Sequence, residues 1–530
     1  MTCEITQIGL LGNSRVFADL LGGFVTLFGD PTTVGFVILA AIVGIVFGAL
    51  PGLTASAAIA MLLPLSFHMG ALQALAFLYV IGKSGRYGGS IAAILFNTPG
   101  TAASAATMQD GFPMSQSGRS GKALRTATVA SVFGDYFGEF ILIFGAVYIA
   151  SFTKTFGPTQ YFAIYVMAFV VIGSVVGNSI LKGILSTVFG GLIGLIGEDI
   201  ISGQQRMTMG IPELESGMAL VPLLIGVFVI SEVIVQAEKA AKFSIQKSDP
   251  DMLSHPGDGH FTWSEFKRCL PIMCRSSVIG SFIGMMPGLG SSVACFVAYG
   301  EEKRRSKTPE KWGTGIVEGI AAPESANNAV SGPSMIPLLT LGIPGSTIAA
   351  VLIGVFIVHG LQVGPQIFDD SNQIVVGVQV MTSREFIFGL FAAGLVGIAA
   401  YGIIGFWAGP LIGRTIALIP QNYLYPFIFA TAVAASYSSR SSIADVGFAV
   451  LFGIIGYAMR RTNFSAAAFI IAFVLAGNME ESFRQAMMIS DNGLLAFVTE
   501  PVSASFLAIG LGMVLFRSLG QARKIKGGTN

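Results

Sequence analysis

The sequence predicts an all-α polytopic membrane protein made of two inverted structural repeats. Each repeat is expected to hold a re-entrant hairpin and a discontinuous helix, with about 11–12 spans in all. Three observations lead there: an apolar composition, apolar stretches of bilayer length, and a Pro-Gly motif that returns later in the chain in the same order.

Of 530 residues, 53% are hydrophobic and only 11% charged, whereas soluble domains carry about 25% charged residues. Lys+Arg 30 against Asp+Glu 29 leaves a net charge of +1, so neither a basic face for nucleic acid nor an acidic solvating tail is implied. Cys3, Cys269, Cys274 and Cys295 fall in no metal or redox spacing. They read as buried free thiols with no disulfide framework. The start, MTCEITQIGLLGNSR, puts Glu4 before any cation and lacks a small-residue cleavage site. It is expected to be retained rather than removed as a signal peptide.

A span needs about 20 mostly apolar residues, because a helix rises roughly 1.5 Å per residue across roughly 30 Å of hydrocarbon. Residues 1–33 form an N-terminal segment whose stretch 16–29 reads as a span or as an interfacial helix. The first repeat, 34–236, opens with apolar regions broken at Pro51-Gly52 (34–70) and at Pro99-Gly100 (73–107). Uninterrupted spans follow near 123–150, 160–177, 180–196 and 218–236. Residues 237–270 are expected to form a cytoplasmic linker. The second repeat, 271–516, is broken at Pro287-Gly288 (271–300) and Pro344-Gly345 (312–360). Its spans lie near 385–408, 422–438, 441–459, 463–478 and 498–516, before a tail at 517–530.

If 34–70 and 271–300 enter and return on their own side, one face collects most of the 30 Lys and Arg. The other face collects only Lys154, Arg206, Arg384, Arg440 and Arg484. Cytoplasmic loops carry the cation excess, so the C-terminus is placed in the cytoplasm.

The repeat is read from Gly44-x3-Gly48-x2-Pro51-Gly52-Leu53, which returns as Gly280-x3-Gly284-x2-Pro287-Gly288-Leu289. Ser56 aligns with Ser292 at the same offset, and Pro99-Gly100-Thr101 is echoed by Pro344-Gly345-Ser346. The charge pattern opens the two hairpins from opposite sides, hence the inversion. Broken backbone at membrane depth is tolerated only inside protein or along a cavity. In inverted-repeat transporters, half-helix N-termini there face anions and unwound carbonyls hold a coupling cation. Gly44, Gly48, Gly280 and Gly284 read first as close helix packing, and the Pro-Gly turns as the site.

The broken helices also carry polar groups that lipid would not tolerate. The first has Lys83, Ser84, Arg86, Tyr87, Ser90, Asn97, Thr98 and Thr101; the second has Glu318, Glu324, Asn327, Asn328, Ser331, Ser334, Ser346 and Thr347. Two readings stay open for Lys83, Arg86 and Glu324: mutual pairing, or cations that receive a carboxylate while Glu324 attracts a cation. Asp135 and Glu139, four apart on one helix face, are expected to pair with a neighbouring helix. Glu480, Glu481 and Arg484 are expected to form a solvated cluster, and His68, His255, His260 and His359 show no ligand spacing. An enzyme reading rests on Gly82-Lys83-Ser84-Gly85, the GxSG form of intramembrane serine hydrolases. It needs a base beside Ser84, and only His359 is near a later membrane segment.

Several strings resemble the large membrane subunit of the bacterial tripartite tricarboxylate transporters. They are LPGL (50–53), YGGSIAAILFNTPG (87–100), Asp110-Gly111, DIISGQQRMTMG (199–210), Gly288 to Gly290, EGIAAPESANN (318–328) and LTLGIPG (339–345). The resemblance runs from about residue 35 to about 490. It implies a multi-pass inner-membrane carrier, not an enzyme, that takes up di- or tricarboxylates or related organic anions with Na+ or H+ coupling. It also implies two partners, a small membrane subunit and a periplasmic solute-binding protein. The Lys83-Ser84-Gly85-Arg86 stretch departs from the small, apolar or aromatic residues usual in that family, so citrate is not assumed. The rival reading is an organic-anion channel.

The expected substrate site lies between the hairpin tips and the helix breaks. From the first repeat it takes Gly52, Thr54, Ser56, Lys83, Arg86, Asn97, Thr98, Gly100 and Thr101. From the second it takes Gly288, Gly290, Ser291, Ser292, Asn327, Asn328, Gly345, Ser346 and Thr347. Candidate Na+ ligands are Asn97, Glu324, Asn328 and Ser346; no other cofactor is expected.

Overall fold

The computed structural model describes residues 2–175, 179–199, 202–242, 260–370, 373–376, 379–419 and 421–527. Most of the expected 237–270 linker, with His255, lies outside the described residues, as do the Cys3 side chain and the last three residues of the tail.

Helices α1 (Thr2–Gly29) and α2 (Pro31–Ala49) meet at Asp30. Its carboxylate accepts the Thr32 N–H at 3.0 Å and the Thr33 hydroxyl at 2.5 Å, capping α2, while Pro31 supplies a φ already suited to the first helical turn. The Pro51-Gly52 turn follows, with Gly52 at φ +84 where a side chain would be strained. After it come α3 (Ala55–Leu62) and then α4 (Ala71–Phe96), whose residues from Ala71 to Leu95 are nearly all buried. Helix α4 stops at Asn97 in the left-handed region, φ 51. The chain resumes as α5 (Ser104–Gln116), α6 (Ser120–Thr153), α7 (Pro158–Val175) and α8 (Ile180–Gly194). A small hairpin pairs β1 (Gly197–Glu198) with β2 (Gln205–Arg206). Helix α9 (Leu220–Leu224) then runs through a π-helical stretch, 225–230, into α10 (Ser231–Lys242).

The second half opens with α11 (Trp263–Gly284), the Pro287-Gly288 turn with Gly288 at φ +85, and α12 (Gly290–Arg305). Then come α13 (Val317–Ala329), α14 (Ile336–Leu341), the Pro344-Gly345 break and α15 (Thr347–Val358). A second hairpin, β3 (Gln373–Val376) with β4 (Gln379–Thr382), leads into α16 (Ser383–Ala417). The chain ends with α17 (Gln421–Arg440), α18 (Ile443–Arg461), α19 (Ala466–Ile489), α20 (Ala496–Thr499) and α21 (Pro501–Gly527). The order recurs: hairpin, long helical stretch, Pro-Gly break, short helix, then a very long helix of 34 residues in one half and 35 in the other.

Glycines set how closely these helices approach. Gly44 and Gly48 of α2 lie on α4 at Ser84 and Gly85, and Gly280 and Gly284 of α11 lie on α13 at Ala326 and Val330. A Cβ at Gly284 would stand 2.9 Å from the Val330 carbonyl oxygen, so the packing role expected of these four glycines holds. Gly134 and Gly138 of α6 rest on Ser325 and Ala329 of α13, which joins the halves.

Among the described residues, six helical stretches are long and apolar enough to cross a bilayer: 31–49, 120–153, 220–239, 383–416, 443–461 and 466–489. A seventh is a pair bent by 78°, 493–499 with 501–515. The expected total of about 11–12 spans counted broken and short segments as well. Helices α8 and α15, at 15 and 12 residues, are too short to cross alone. The buried α4 carries Lys83 and Arg86, which only a protein environment tolerates. The first hairpin also differs from expectation, because α2 alone, 19 residues long, is apolar enough and of a length to span.

Candidate functional site

One face each of α4, α6 and α13 is polar, and the three faces meet in the interior. On α4 the residues are Tyr79, Lys83, Arg86 and Ser90; on α6 they are Ser131, Asp135 and Glu139; on α13 they are Glu324, Asn327 and Asn328, with Ser331 in the turn just after it. Spacings of three and four align them along each helix. All are buried, with Lys83, Asp135, Glu139 and Glu324 at 0% exposure.

The polar interior is layered. At one level the Lys83 ammonium lies 2.6 Å from Asp135 Oδ1 and 2.8 Å from Glu139 Oε2. Tyr79 donates its hydroxyl to Glu139 at 2.8 Å, and Tyr401 of α16 donates to Asp135 at 3.2 Å. The acids therefore pair with a neighbouring helix as expected, and the charge of Lys83 is taken up by this triad. At the other level Glu324 accepts hydroxyls from Ser90 at 2.5 Å, from Ser131 at 2.8 Å and from Thr107 of α5. Among the described residues, no cation reaches Glu324.

Between the two levels lies Arg86. Its Nη1 reaches the Asn327 carbonyl at 3.5 Å, while its Nε has no partner. Both side-chain amide atoms of Asn327 and the Asn328 Oδ1 are likewise buried and unpartnered. Buried polar atoms without partners are rare, and each calls for an explanation.

The other expected site residues fall into two groups. In the second half the tip meets the break: Gly288 N–H donates to Gly345 O at 3.3 Å, and Ser346 Oγ lies 3.2 Å from Ser334 Oγ while capping α15 through Ala349 N–H. Gly290, Ser291 and Ser292 are half-buried beside that tip, and Thr347 is half-buried at the start of α15. In the first half Gly100 N–H donates to Gly89 O at 3.4 Å, folding the break back on α4, and Thr101 N–H donates to Ser104 Oγ at 3.0 Å. Asn97 and Thr98 are exposed. The first tip touches other elements: Tyr425 of α17 donates to Pro51 O at 3.1 Å, Gly52 lies against Gln236, and Thr54 and Ser56 hydroxyls bond each other at 3.0 Å. Among the described residues, no hydrogen bond joins the two tips.

Some expectations change. Glu480 and Arg484 are not a separate solvated cluster: Arg484 pairs with Asp199 at 2.6 Å and Arg206 with Glu480 at 2.6 Å, pinning the β1–β2 hairpin to α19. The Ser84 hydroxyl, 2.9 Å from Val80 O and 3.2 Å from Ala40 O, closes the α2–α4 contact. Asp110 accepts Tyr299 O–H at 2.8 Å and the N–H groups of Gly313, Gly315 and Ile316 at 2.9 to 3.1 Å, holding the chain that enters α13. Of the residues at Glu324, Thr107 and Ser131 were not singled out. The i,i+4,i+8 series Ser131, Asp135, Glu139 carried a signal; Thr107 carried none.

Comparison with known proteins agrees with the earlier resemblance. Residues 34–471 match the Tripartite tricarboxylate transporter TctA family. The chain is 35% identical over 510 residues to an uncharacterised 52.8 kDa protein of the TAR-I ttuC′ 3′ region of Agrobacterium vitis, covering 96% of this chain and 97% of that one. A second protein, from the TAR-II ttuC′ 3′ region of the same organism, is 38% identical over 247 residues, 46% of this chain and 96% of its own length. No solved structure matches.

Proposed function

We propose that this chain, which belongs to the tripartite tricarboxylate transporter TctA family, is a cation-driven carrier for an organic di- or tricarboxylate. As a member of that family it is the large, multi-pass membrane subunit of a tripartite system. Its partners in this reading are a small membrane subunit and a periplasmic solute-binding protein. It lies in the inner membrane with the C-terminus in the cytoplasm, and the two halves are inverted repeats. The observation that carries the substrate reading is the buried Arg86 with its unpartnered Nε beside the unpartnered amide of Asn327. A planar guanidinium binds carboxylate in a two-point fork, and a side-chain amide donates to a further oxygen. The Pro-Gly tips and breaks, including Ser292, Gly345 and Asn97, form the path and the remaining contacts.

The test is uptake of labelled di- and tricarboxylates into proteoliposomes holding this chain with both partners, with and without an inward Na+ or proton gradient. Accumulation that needs the gradient, lost in Arg86→Gln and weakened in Asn327→Ala, supports the reading. Equilibration without a gradient requirement marks a channel instead. Wild-type uptake by both variants removes Arg86 and Asn327 from the site.

A further inference from the structure

The facing sides of α4, α6 and α13 hold five buried ionisable groups of opposite signs. With all five ionised, Lys83 and Arg86 bring two positive charges and Asp135, Glu139 and Glu324 three negative ones, which leaves one negative charge. The contacts place that excess. Lys83 is held by Asp135 and Glu139, and Arg86 reaches the Asn327 carbonyl, whereas Glu324 has only hydroxyls. Among the described residues, no ion pair reaches the Glu324 carboxylate, and its bonded partners are the hydroxyls of Ser90, Thr107 and Ser131. An isolated carboxylate buried in protein costs several kcal/mol, so a positive charge, a proton or a metal cation, belongs there.

The structure assigns that charge to one sodium ion, bound by Glu324 with Ser90, Thr107 and Ser131. Every polar contact of the carboxylate is a hydroxyl oxygen: Ser90 Oγ and Thr107 Oγ1 on Oε1, and Ser131 Oγ on Oε2. Oxygen-only sets suit hard cations. The three hydroxyls come from three helices, α4, α5 and α6, and a helical Ser or Thr can instead donate to the carbonyl one turn back. That rotation turns their lone pairs toward an ion held by the carboxylate. Charge selects a monovalent ion, since a divalent one would leave the interior positive. A proton would need one oxygen; this cluster offers five, counting both of Glu324. Asn328, one turn along α13, fixes the helix beside the site by donating Nδ2 to Glu324 O at 3.0 Å, and its unpartnered, fully buried Oδ1 is a further oxygen of the same kind.

This assignment names the coupling ion of the proposed carrier and rests on that reading, but its test needs neither substrate nor partners. The melting temperature of the purified full-length chain is measured in NaCl and in choline chloride at equal ionic strength. The wild type is expected to gain a saturable, sodium-specific stabilisation, because an ion bound only by the folded state stabilises it by mass action. Glu324→Gln, which keeps the side-chain shape, loses the response. Ser131→Ala and Thr107→Val, milder changes that guard against a misfolded Gln variant, weaken the apparent affinity by about tenfold or more. The assignment is overturned if the wild type melts alike in both salts, if it responds to pH alone, or if Glu324→Gln keeps the sodium response. A sodium response with no carboxylate uptake by the full assembly would instead remove the transport reading and leave the ion site standing.

Discussion

Replacing Lys83 with methionine isolates what the buried triad contributes. The Lys83 ammonium is fully buried and touches both carboxylates, at 2.6 and 2.8 Å. Removing it strands Asp135 and Glu139 on one face of α6 with only the Tyr79 and Tyr401 hydroxyls as donors. Breaking a buried ion pair costs about 3–5 kcal/mol, because the remaining charge is uncompensated, and two stranded acids put this variant at the upper end, about 5 kcal/mol. The acid variants behave differently. Asp135→Asn or Glu139→Gln leaves Lys83 with one carboxylate, so each loses roughly one charge-assisted hydrogen bond, about 1.5–3 kcal/mol. Combining Lys83→Met with both amides removes every charge at similar volume and recovers most of the loss, since neutral replacement of buried ions is often tolerated. The assay is the yield of monodisperse protein and its melting temperature in detergent across the four variants and wild type. Lys83→Met as stable as wild type, or no better when combined with the amides, refutes the reasoning.

Gly48→Leu should lower folded yield, measured by size-exclusion profile, because its side chain would enter the Gly85 backbone of α4. Asn97→Ala and Ser292→Ala should reduce uptake without loss of expression, since one is exposed at the first break and the other half-buried at the second tip; normal transport by both would move the path elsewhere. Asp30→Ala should cost about 1 kcal/mol of helix-cap stability in a thermal melt. Burial pushes the Asp30 carboxyl up, but hydrogen bonds from Thr32, Thr33 and Gln73 outweigh it and hold it below the usual carboxylate range. Its contribution is therefore present above the ordinary carboxylate pKa, about 3.9, and is lost as pH falls through the lowered value. The gap between wild type and Asp30→Ala should close in strong acid.

What the sequence made legible followed from local rules. Spans expected at 123–150 and 385–408 lie within α6 and α16, and the Pro-Gly pairs at 51, 99, 287 and 344 fall where helices stop. The glycine rows read correctly because a missing Cβ means the same thing wherever a helix packs tightly. The polar interior was legible only as a set of residues. Lys83, Arg86, Asp135, Glu139 and Glu324 were each conspicuous, yet their partners lie 52 to 266 positions apart, and nothing in a single sequence measures that distance. Thr107 was invisible because one hydroxyl on a short helix is unremarkable until α5 folds against α13. The two span counts differ for a related reason: an apolar segment wrapped in protein and one facing lipid have the same composition, and Lys83 on α4 distinguishes them only once the helix is seen to be buried.

The layering also bears on coupling. In the reading proposed here, an organic anion approaches Arg86, at the level between the triad and Glu324. With its five ionisable groups charged, that interior holds one excess negative charge, so an anion arriving alone would be repelled by Glu324 across about one helical turn, from Ser90 back to Arg86. Sodium on Glu324 removes the repulsion before the anion arrives. Binding of the two must then be mutually favourable, and linkage requires the factor to be the same in both directions: sodium tightens the anion as much as the anion tightens sodium. Couplings of this kind are typically about 1–3 kcal/mol, or roughly 5- to 150-fold in affinity. Titrating the purified chain with a di- or tricarboxylate at several sodium concentrations, and with sodium at several carboxylate concentrations, measures both factors. Equal factors well above one are expected in the wild type and a factor near one in Glu324→Gln. An anion affinity indifferent to sodium in the wild type would show that the two layers act separately and that the excess charge on α13 serves some other purpose.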